Sequence, residues 1–365
     1  MFLGLRGIPG VQGGVEKHVE LLGVELAQRG WEVEVVGRSR YLPHAGPITW
    51  KGVKVSPLWA PRRMALEALV HTCLGVLRAG VTRPDIVHIH AVGPALMVPL
   101  ARLLGLRVVV THHGYDYDRE KWGGLARRML KLGERLGMRL SHGRIAISNE
   151  VARTMAGRYG RPVAFIPNGV AVSHDGSGDA ILAEFGIQPK RYALLAARFV
   201  PEKRQLDLIR AFAKTAPGYQ LVLAGGAEFE TAYSREVVEL ATSVPGVVLT
   251  GFQRDARLAS LFANAALFVL PSSHEGMPIA LLEAMGFGLP VLASDIVPNR
   301  ELHLAEEDYV PLGDIETLAR KMGERLAAPL PEAESKALAA RIAATYSWSG
   351  IAQKTHELYG ALLGR

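Results

Sequence analysis

Cysteine is nearly absent. Cys73 is the only one in 365 residues, which excludes an intrachain disulfide framework and a multi-cysteine zinc site and fits a reducing compartment. Long hydrophobic runs are missing too. The longest, Ala91 to Ala101, is stopped by Arg102 and again by Arg107, short of the roughly 20 apolar residues that span a bilayer. Met1 to Gly7 has neither the basic start nor the apolar core of a secretory signal. There is no short-period repeat and no low-complexity tract. These absences lead us to expect a soluble cytoplasmic protein, at most peripheral at the inner face of the plasma membrane.

The composition is that of a globular chain, with 49% hydrophobic and 21% charged residues, long enough for two domains. The net charge of +7 is unevenly spread. Residues 1–170 hold 24 Lys and Arg against 12 Asp and Glu, and the remainder 18 against 23. Such a basic first half suits an anionic partner, although plain surface charge accounts for it equally well.

Short apolar segments alternate with longer amphipathic ones. Glu32–Val36, Asp85–His90, Arg107–Thr111 and Arg144–Ser148 read as strands in the first half. Arg191–Ala197, Tyr219–Ala224, Val247–Thr250, Ala266–Pro271 and Leu289–Ser294 do so in the second. Helix-like stretches include Val15–Arg29, Gln205–Lys214 and Asp255–Asn264. This alternation predicts parallel βαβ units. A polar, glycine-containing stretch, Ser173–Asp179, lies close to the expected junction. The expected domains are 1–170 and 171–345, with a helix over 346–365 that packs back on the first. In open α/β sheets ligands bind beyond the carboxyl ends of the strands, so the loops after strands are where chemistry is sought.

Four such loops stand out. Gly7-Ile8-Pro9-Gly10-Val11-Gln12-Gly13-Gly14 joins the opening strand to a helix, where glycines let the backbone approach a phosphate and the helix offers free N–H groups. It is neither a Walker A loop nor the dinucleotide fingerprint, and a plain turn explains it as well. Thr111-His112-His113-Gly114 places a histidine at the end of a strand. His88 and His90 form an H-x-H pair on one face of a strand; a metal site would need further ligands that the sequence does not point to. Arg198 and Lys203 follow another strand, placed to clamp a diphosphate or simply to be solvated. The most specific pattern is Glu275 to Met285, which follows a strand and opens a helix. Pro278 suits the first helical position, and Gly286 and Gly288 its exit. Glu275 and Glu283 flank a turn whose amides suit phosphate, while carboxylates accept from sugar hydroxyls.

With Glu275 and Glu283 separated by seven residues, and with Gly13-Gly14, His113-Gly114, Ile166-Pro167-Asn168-Gly169-Val170, Arg198 and Lys203, and Gly251-Phe252, the chain resembles the retaining, nucleotide-sugar-dependent glycosyltransferases of the GT-B fold, family 4. The resemblance runs along nearly the whole chain. It implies an α/β architecture of two Rossmann-like domains facing a central cleft, with the acceptor on the first and the donor on the second. Tyr115–Gly123 looks like a bacterial cell-envelope and exopolysaccharide branch. Carried over, the family's roles put Gly13 and Gly14 against the donor diphosphate and Arg198 and Lys203 neutralising it. Glu283 binds the ribose, Glu275 the donor sugar, Gly276, Met277 and Ile279 help hold phosphate or sugar, and His113 faces the sugar from the first domain. The protein cations would replace a metal and the leaving phosphate would take the acceptor's proton, so neither a metal nor another cofactor nor a protein base is assigned. The acceptor is a saccharide or polyprenyl-linked saccharide, and no nucleic acid partner is implied. A nucleotide-sugar 2-epimerase of the same fold, a metal-dependent hydrolase built on His88, His90 and His113, and a non-catalytic sugar-nucleotide-binding protein are the alternatives.

A basic stretch over 119–139 completes the picture. Arg119, Lys121, Arg127, Arg128, Lys131, Arg135 and Arg139 are interleaved with Leu125, Met129, Leu130, Leu132, Leu136 and Met138. Such a helix suits an anionic membrane surface, unless its apolar face packs on its own domain.

Overall fold

The computed structural model describes residues 1–62, 64–118, 122–215, 218–227 and 229–365. Two compact units result, Met1–Gly169 with Trp348–Arg365, and Val170–Ser347. The borders differ slightly from the expected 170/171 and 345/346. Val170 goes with the second unit because its N–H donates to Tyr346 O at 2.6 Å and it bridges to Ser347. The terminal helix, Trp348–Leu363, belongs to the first unit, where Trp348, Ile351, Ala352 and Tyr359 share an apolar cluster with Val19, Leu22 and Leu26 of the helix Gly14–Gln28.

The first unit is built on one sheet of eight strands. They are β1 (Phe2–Leu3), β2 (Glu34–Arg38), β3 (Ile48–Trp50), β4 (Val53–Leu58), β5 (Val87–His90), β6 (Val108–His112), β7 (Gly143–Ala146) and β8 (Ala164–Phe165). Their order is β3-β4-β2-β1-β5-β6-β7-β8, parallel throughout except between β3 and β4. The second unit has β9 (Tyr192–Ala196), β10 (Gln220–Ala224), β11 (Val247–Gly251), β12 (Leu267–Leu270), β13 (Val291–Ser294) and β14 (Tyr309–Val310). They form an all-parallel sheet of order β11-β10-β9-β12-β13-β14. Strand order reverses between β1 and β5 in one sheet and between β9 and β12 in the other. Both are doubly wound sheets, and in such sheets the crevice at the reversal is where ligands bind.

Every strand expected from the apolar pattern is present, with its ends moved by one or two residues. The runs are apolar rather than alternating because both faces are covered. Val108 and Val110 of β6 enter one apolar cluster and Val109 the other; Leu3 and Phe2 divide likewise. The pattern passed over β3, β4, β8 and β14. The β3–β4 hairpin turns through Lys51 and Gly52, both at positive φ (47° and 82°), which is the backbone a two-residue hairpin requires. β4 itself carries Lys54, Ser56 and Pro57, which hide it.

In the helix Gly124–Leu140 the leucine stripe is not the side that packs on its own domain. Its inward side is Gly133, Glu134, Gly137 and Met138. Leu125, Met129, Leu132 and Leu140 are exposed instead. Glycines let the helix approach the segment after β5 closely: a Cβ at Gly133 would lie 2.1 Å from Val92 O, and one at Gly137 3.0 Å from the Ala95 Cβ. The first three residues of the basic stretch, 119–121, with Arg119 and Lys121, lie outside the described residues. Among the described residues no helix is long and apolar enough to cross a membrane.

The contacts decide the sign of two otherwise similar substitutions. Gly133→Ala is expected to destabilise by roughly 1–3 kcal/mol, since the backbone carbonyl facing it cannot yield. Gly157→Ala, in the helix Asn149–Tyr159 with no atom within 4 Å of its Cβ, is expected to stabilise by about 0.4–1 kcal/mol. Thermal and urea unfolding of the two variants check the opposite signs.

Candidate active site

In the second unit the loops after β9 and β12, the two strands at the reversal, carry Arg198, Lys203 and Glu275. Their backbones are joined: Ser273 N–H donates to Glu202 O at 2.9 Å. Lys203 Nζ donates to Glu275 Oε1 at 2.5 Å. Sequence reading placed both residues at a phosphate and sugar site but did not foresee that they pair. A diphosphate would therefore take Lys203 in competition with a carboxylate. Arg198 is half-buried, and its carbonyl accepts from the Gln205 side-chain amide at 2.7 Å. Gln205 is fully buried and gripped twice by Tyr233, whose hydroxyl accepts the Gln205 N–H and donates to Gln205 Oε1, both at 2.9 Å. Burial pushes the Tyr233 hydroxyl up to about 12, so it stays a donor. Neither Gln205 nor Tyr233 was legible in the sequence, because an amide and a phenol signal nothing until the fold brings them to the loop.

The helix that follows is Ile279–Gly286, one turn beyond Glu275. Pro278 caps it in extended conformation and is not its first residue. Gly288, at φ +69°, makes the exit; Gly286 ends the helix and has no room for a Cβ, which would lie 2.5 Å from Val172 Cγ2. Met277 and Glu283 are buried, and Gly276 and Ile279, on either side of Met277-Pro278, are partly exposed. The first N–H groups of this helix and both glutamates thus belong to one short segment at the strand-order reversal, as the spacing predicted.

In the first unit, Gly13 and Gly14 lie at the end of the loop after β1. A Cβ at Gly13 would lie 2.0 Å from Glu16 Oε2 and 2.4 Å from an Arg6 nitrogen, so glycine here makes room for an ion pair. Arg6 Nε donates to Glu16 Oε1 at 3.0 Å. Burial pushes the Glu16 carboxyl up, but the guanidinium outweighs it and leaves it below the usual carboxylate range. At Gly14 a Cβ would meet no protein atom within 4 Å; internal packing does not demand that glycine, whereas close approach of a ligand to the backbone would.

Histidines fill the reversal between β1 and β5. His88 and His90 share a face as expected, with ring centroids 4.1 Å apart. His88 is used up structurally by Tyr359 Oη and Thr111 Oγ1, both at 2.6 Å. His90 Nδ1 lies 3.0 Å from His113 Nε2, and His18 Nδ1 lies 2.9 Å from Asn168 Oδ1. Sequence reading found no partner for the H-x-H pair; the fold supplies His18 from a helix 70 residues away. Ring nitrogens of His18, His90 and His113 all lie within 4.8 Å of one another, the only such cluster of potential metal ligands among the described residues. Burial lowers His18 to about 4 and holds His90 and His113 well below the ordinary imidazole value. All three are therefore neutral at pH 7, and the His113 ring is an uncharged donor or acceptor. Asp116-Tyr117-Asp118 also spells Asp-x-Asp, a pattern of metal-dependent transferases that the sequence reading passed over. Here it forms a short 3-10 turn whose Tyr117 points inward, and it joins no three-ligand cluster among the described residues.

His112, beside His113, is held by a buried carboxylate that sequence reading missed. Gly114 N–H donates to His112 Nδ1 at 3.2 Å, which leaves the proton on Nε2 to meet Glu134 Oε2 at 3.2 Å. Tyr117 and Tyr159 donate to the same carboxylate at 2.9 and 2.8 Å, and Arg158 approaches to 3.0 Å. Burial alone would raise the Glu134 carboxyl; the bonds from His112, Tyr159 and Tyr117 outweigh it and hold it at about 2. Its pKa is lower folded than unfolded, so the stabilisation is full above about 4.5 and is lost as pH falls towards 2, and at neutral pH it amounts to roughly 3 kcal/mol. Glu134→Gln should therefore lower stability at pH 7 yet flatten its decline between pH 4.5 and 2. Urea midpoints of both proteins across that range provide the check.

Residues 12–174 match the family model described as Glycosyltransferase Family 4, and residues 179–341 that described as Glycosyl transferases group 1. Among similar proteins, alpha-maltose-1-phosphate synthase of Mycolicibacterium smegmatis is 27% identical over 386 aligned positions, covering 96% of each chain. GDP-mannose:cellobiosyl-diphosphopolyprenol alpha-mannosyltransferase of Komagataeibacter xylinus is 30% identical over 188 positions, 48% of this chain and 47% of its own. The solved sucrose-phosphate synthase of Thermosynechococcus elongatus superposes with a TM-score of 0.84 at 21% identity, covering 100% of this chain and 98% of that one. Two doubly wound units, motif residues at both strand-order reversals and two family models spanning nearly all of the sequence agree: the chain belongs to the family 4 glycosyltransferases of the GT-B fold, which act on nucleotide sugars.

Proposed function

We propose that this enzyme transfers a sugar, with retention of anomeric configuration, from a nucleoside diphosphate to a saccharide or polyprenyl-linked saccharide in cell-envelope or exopolysaccharide synthesis. The reading rests on one observation: Lys203 pairs with Glu275 across the loops after β9 and β12 at the strand-order reversal, loops that also carry Arg198 and the amino end of the Ile279–Gly286 helix. Breaking the bond from the anomeric carbon to the diphosphate leaves positive charge on the sugar and negative charge on phosphate. Two cations and a helix amino end stabilise that phosphate without a metal. The leaving phosphate takes the acceptor's proton from the same face, so no protein base is needed. Glu283 holds the ribose and Glu275 the sugar hydroxyls; in the first unit, His113 offers an uncharged ring. The names of the two curated relatives, a maltose-1-phosphate synthase and a mannosyltransferase acting on a cellobiosyl diphosphate, both carry a phosphorylated saccharide.

Arg198→Ala and Lys203→Ala should each lower turnover at least 100-fold with the fold intact, the ~3 kcal/mol of one preorganised charge contact. Glu283→Ala should weaken binding of the preferred one among UDP, ADP and GDP. Glu275→Gln, by releasing Lys203, should leave bare nucleotide binding equal or tighter while impairing use of the intact donor. Calorimetry with nucleotide and with nucleotide sugar separates the two, and full activity is expected in excess chelator; loss restored by a divalent ion would move the chemistry to a metal.

The basic helix supports a membrane-associated version of this function. Leu125, Met129, Leu132 and Leu140 form one exposed stripe along Gly124–Leu140, and Arg128, Arg135 and Arg139 run beside it. Arg127, Arg128 and Arg135 have no ion pair among the described residues. An exposed apolar stripe flanked by unpaired cations suits an anionic bilayer, each cation contributing about 1 kcal/mol. Co-sedimentation with vesicles should require acidic lipid, weaken with salt, and fall in the Arg127→Glu, Arg128→Glu, Lys131→Glu triple variant. Indifference to acidic vesicles at low salt would leave a soluble acceptor.

A further inference from the structure

Neither the family motifs nor the donor site uses the carboxyl ends of β2 and β4. These strands pair in parallel with Arg38 opposite Leu58, so the residues just beyond them, Ser39 and Arg40 on one side and Trp59 to Arg62 on the other, come together. They line a cleft of about 340 Å³, within the range of small-molecule sites. It opens on the same edge of the sheet as the loops bearing Gly14 and His113.

The chemistry of the lining is specific. Trp59 is 62% exposed, which leaves a large apolar face towards water. Pro57 and Pro61 on either side of it fix the backbone, so the ring is presented at little cost in entropy. The guanidinium of Arg40 lies over the Tyr41 ring at 4.7 Å and within 3.8 Å of Glu67. Glu67 is buried and is shared with Arg38 at 3.5 Å. Arg62 has no hydrogen bond or ion pair among the described residues. Arg38 and Arg40 thus share one carboxylate, Arg62 adds a further positive charge, and among the described residues no acidic side chain lines the cleft itself.

We propose that this cleft binds the phosphorylated saccharide that accepts the transferred sugar, the pyranose ring lying on Trp59 and the phosphate between Arg40 and Arg62. The inference rests on the glycosyltransferase reading above and deepens it. An indole offers a flat surface to the C–H-rich face of a sugar, and two guanidinium groups offer planar donors to phosphate oxygens. The excess of two positive charges over Glu67 matches a phosphate dianion. A neutral oligosaccharide would not engage the two guanidinium charges, and inorganic phosphate would leave Trp59 unused. The same chemistry serves a free sugar phosphate and a lipid-linked saccharide diphosphate.

Calorimetry on the full chain tests this with glucose 1-phosphate and with a glucosyl diphosphate on a short isoprenoid. At least one probe should bind, with affinity at least tenfold above that of glucose or inorganic phosphate, and the tighter of the two distinguishes the free from the lipid-linked source. Affinity should fall at least tenfold in Trp59→Ala and in Arg40→Gln with Arg62→Gln, and recover in Trp59→Phe. Binding of the preferred nucleoside diphosphate should be unchanged in every variant, which also shows that they fold. Failure of both probes to bind, or equal binding by wild type and variants, overturns the proposal. If the probes behave as expected while UDP, ADP and GDP all fail to bind the wild type, the donor reading falls and the cleft stands.

Discussion

Parallel strands can be joined only by crossovers, and a crossover packs on the sheet with one hand. When the chain winds outward from β1 and returns to build β5 beside it, the crossovers diverge to opposite faces and a crevice opens at the carboxyl ends of the two strands. The same happens between β9 and β12. The family-motif residues depend on those two reversals. Lys203 and Glu275 stand 72 residues apart, yet an ion pair joins them and a backbone bond joins their loops because β9 and β12 are neighbours. Gly14 and His113 likewise owe their setting to β1, β5 and β6 lying side by side.

Around the first crevice the protein uses burial to control charge. Imidazoles crowded at β5, β6 and the helix Gly14–Gln28 cannot all be protonated, and desolvation holds them neutral. Glu134, buried no less, goes the other way because three donors and a guanidinium converge on it. The outcome is a rigid His112–His113–Gly114 turn with one fixed tautomer at His112 and an uncharged ring at His113.

The helix Gly124–Leu140 shows how one element serves two surfaces. Its inner side has given up apolar bulk for glycine, which brings the backbone against Val92 and Ala95 and delivers Glu134 to the histidine turn. Its leucines are left for the outside, beside a row of arginines. A membrane or another partner meeting that stripe would press on the same helix that holds His112 in place.

What the sequence by itself determined was local. Unbroken apolar runs such as Val108–Thr111 betrayed parallel strands, because a strand covered on both faces needs no polar alternation. Glu275 and Glu283, Gly13 and Gly14, Arg198 and Lys203 were legible because family and position mark them within a few residues of a strand end. Only the tertiary structure decided which residues meet. The pairing of Lys203 with Glu275, the Gln205–Tyr233 clasp, His18 beside His90 and His113, and Glu134 under His112 all join side chains from different elements. So does the cleft at Arg40 and Trp59, formed beyond β2 and beyond β4, whose lysine, serine and proline gave no strand signal. The direction of the basic helix was equally out of reach, since leucine periodicity predicts an apolar stripe but not which stripe is buried. The reason is the same throughout: periodicity and propensity act over a few residues, whereas desolvation, ion pairing and steric room are set by neighbours that only the fold supplies.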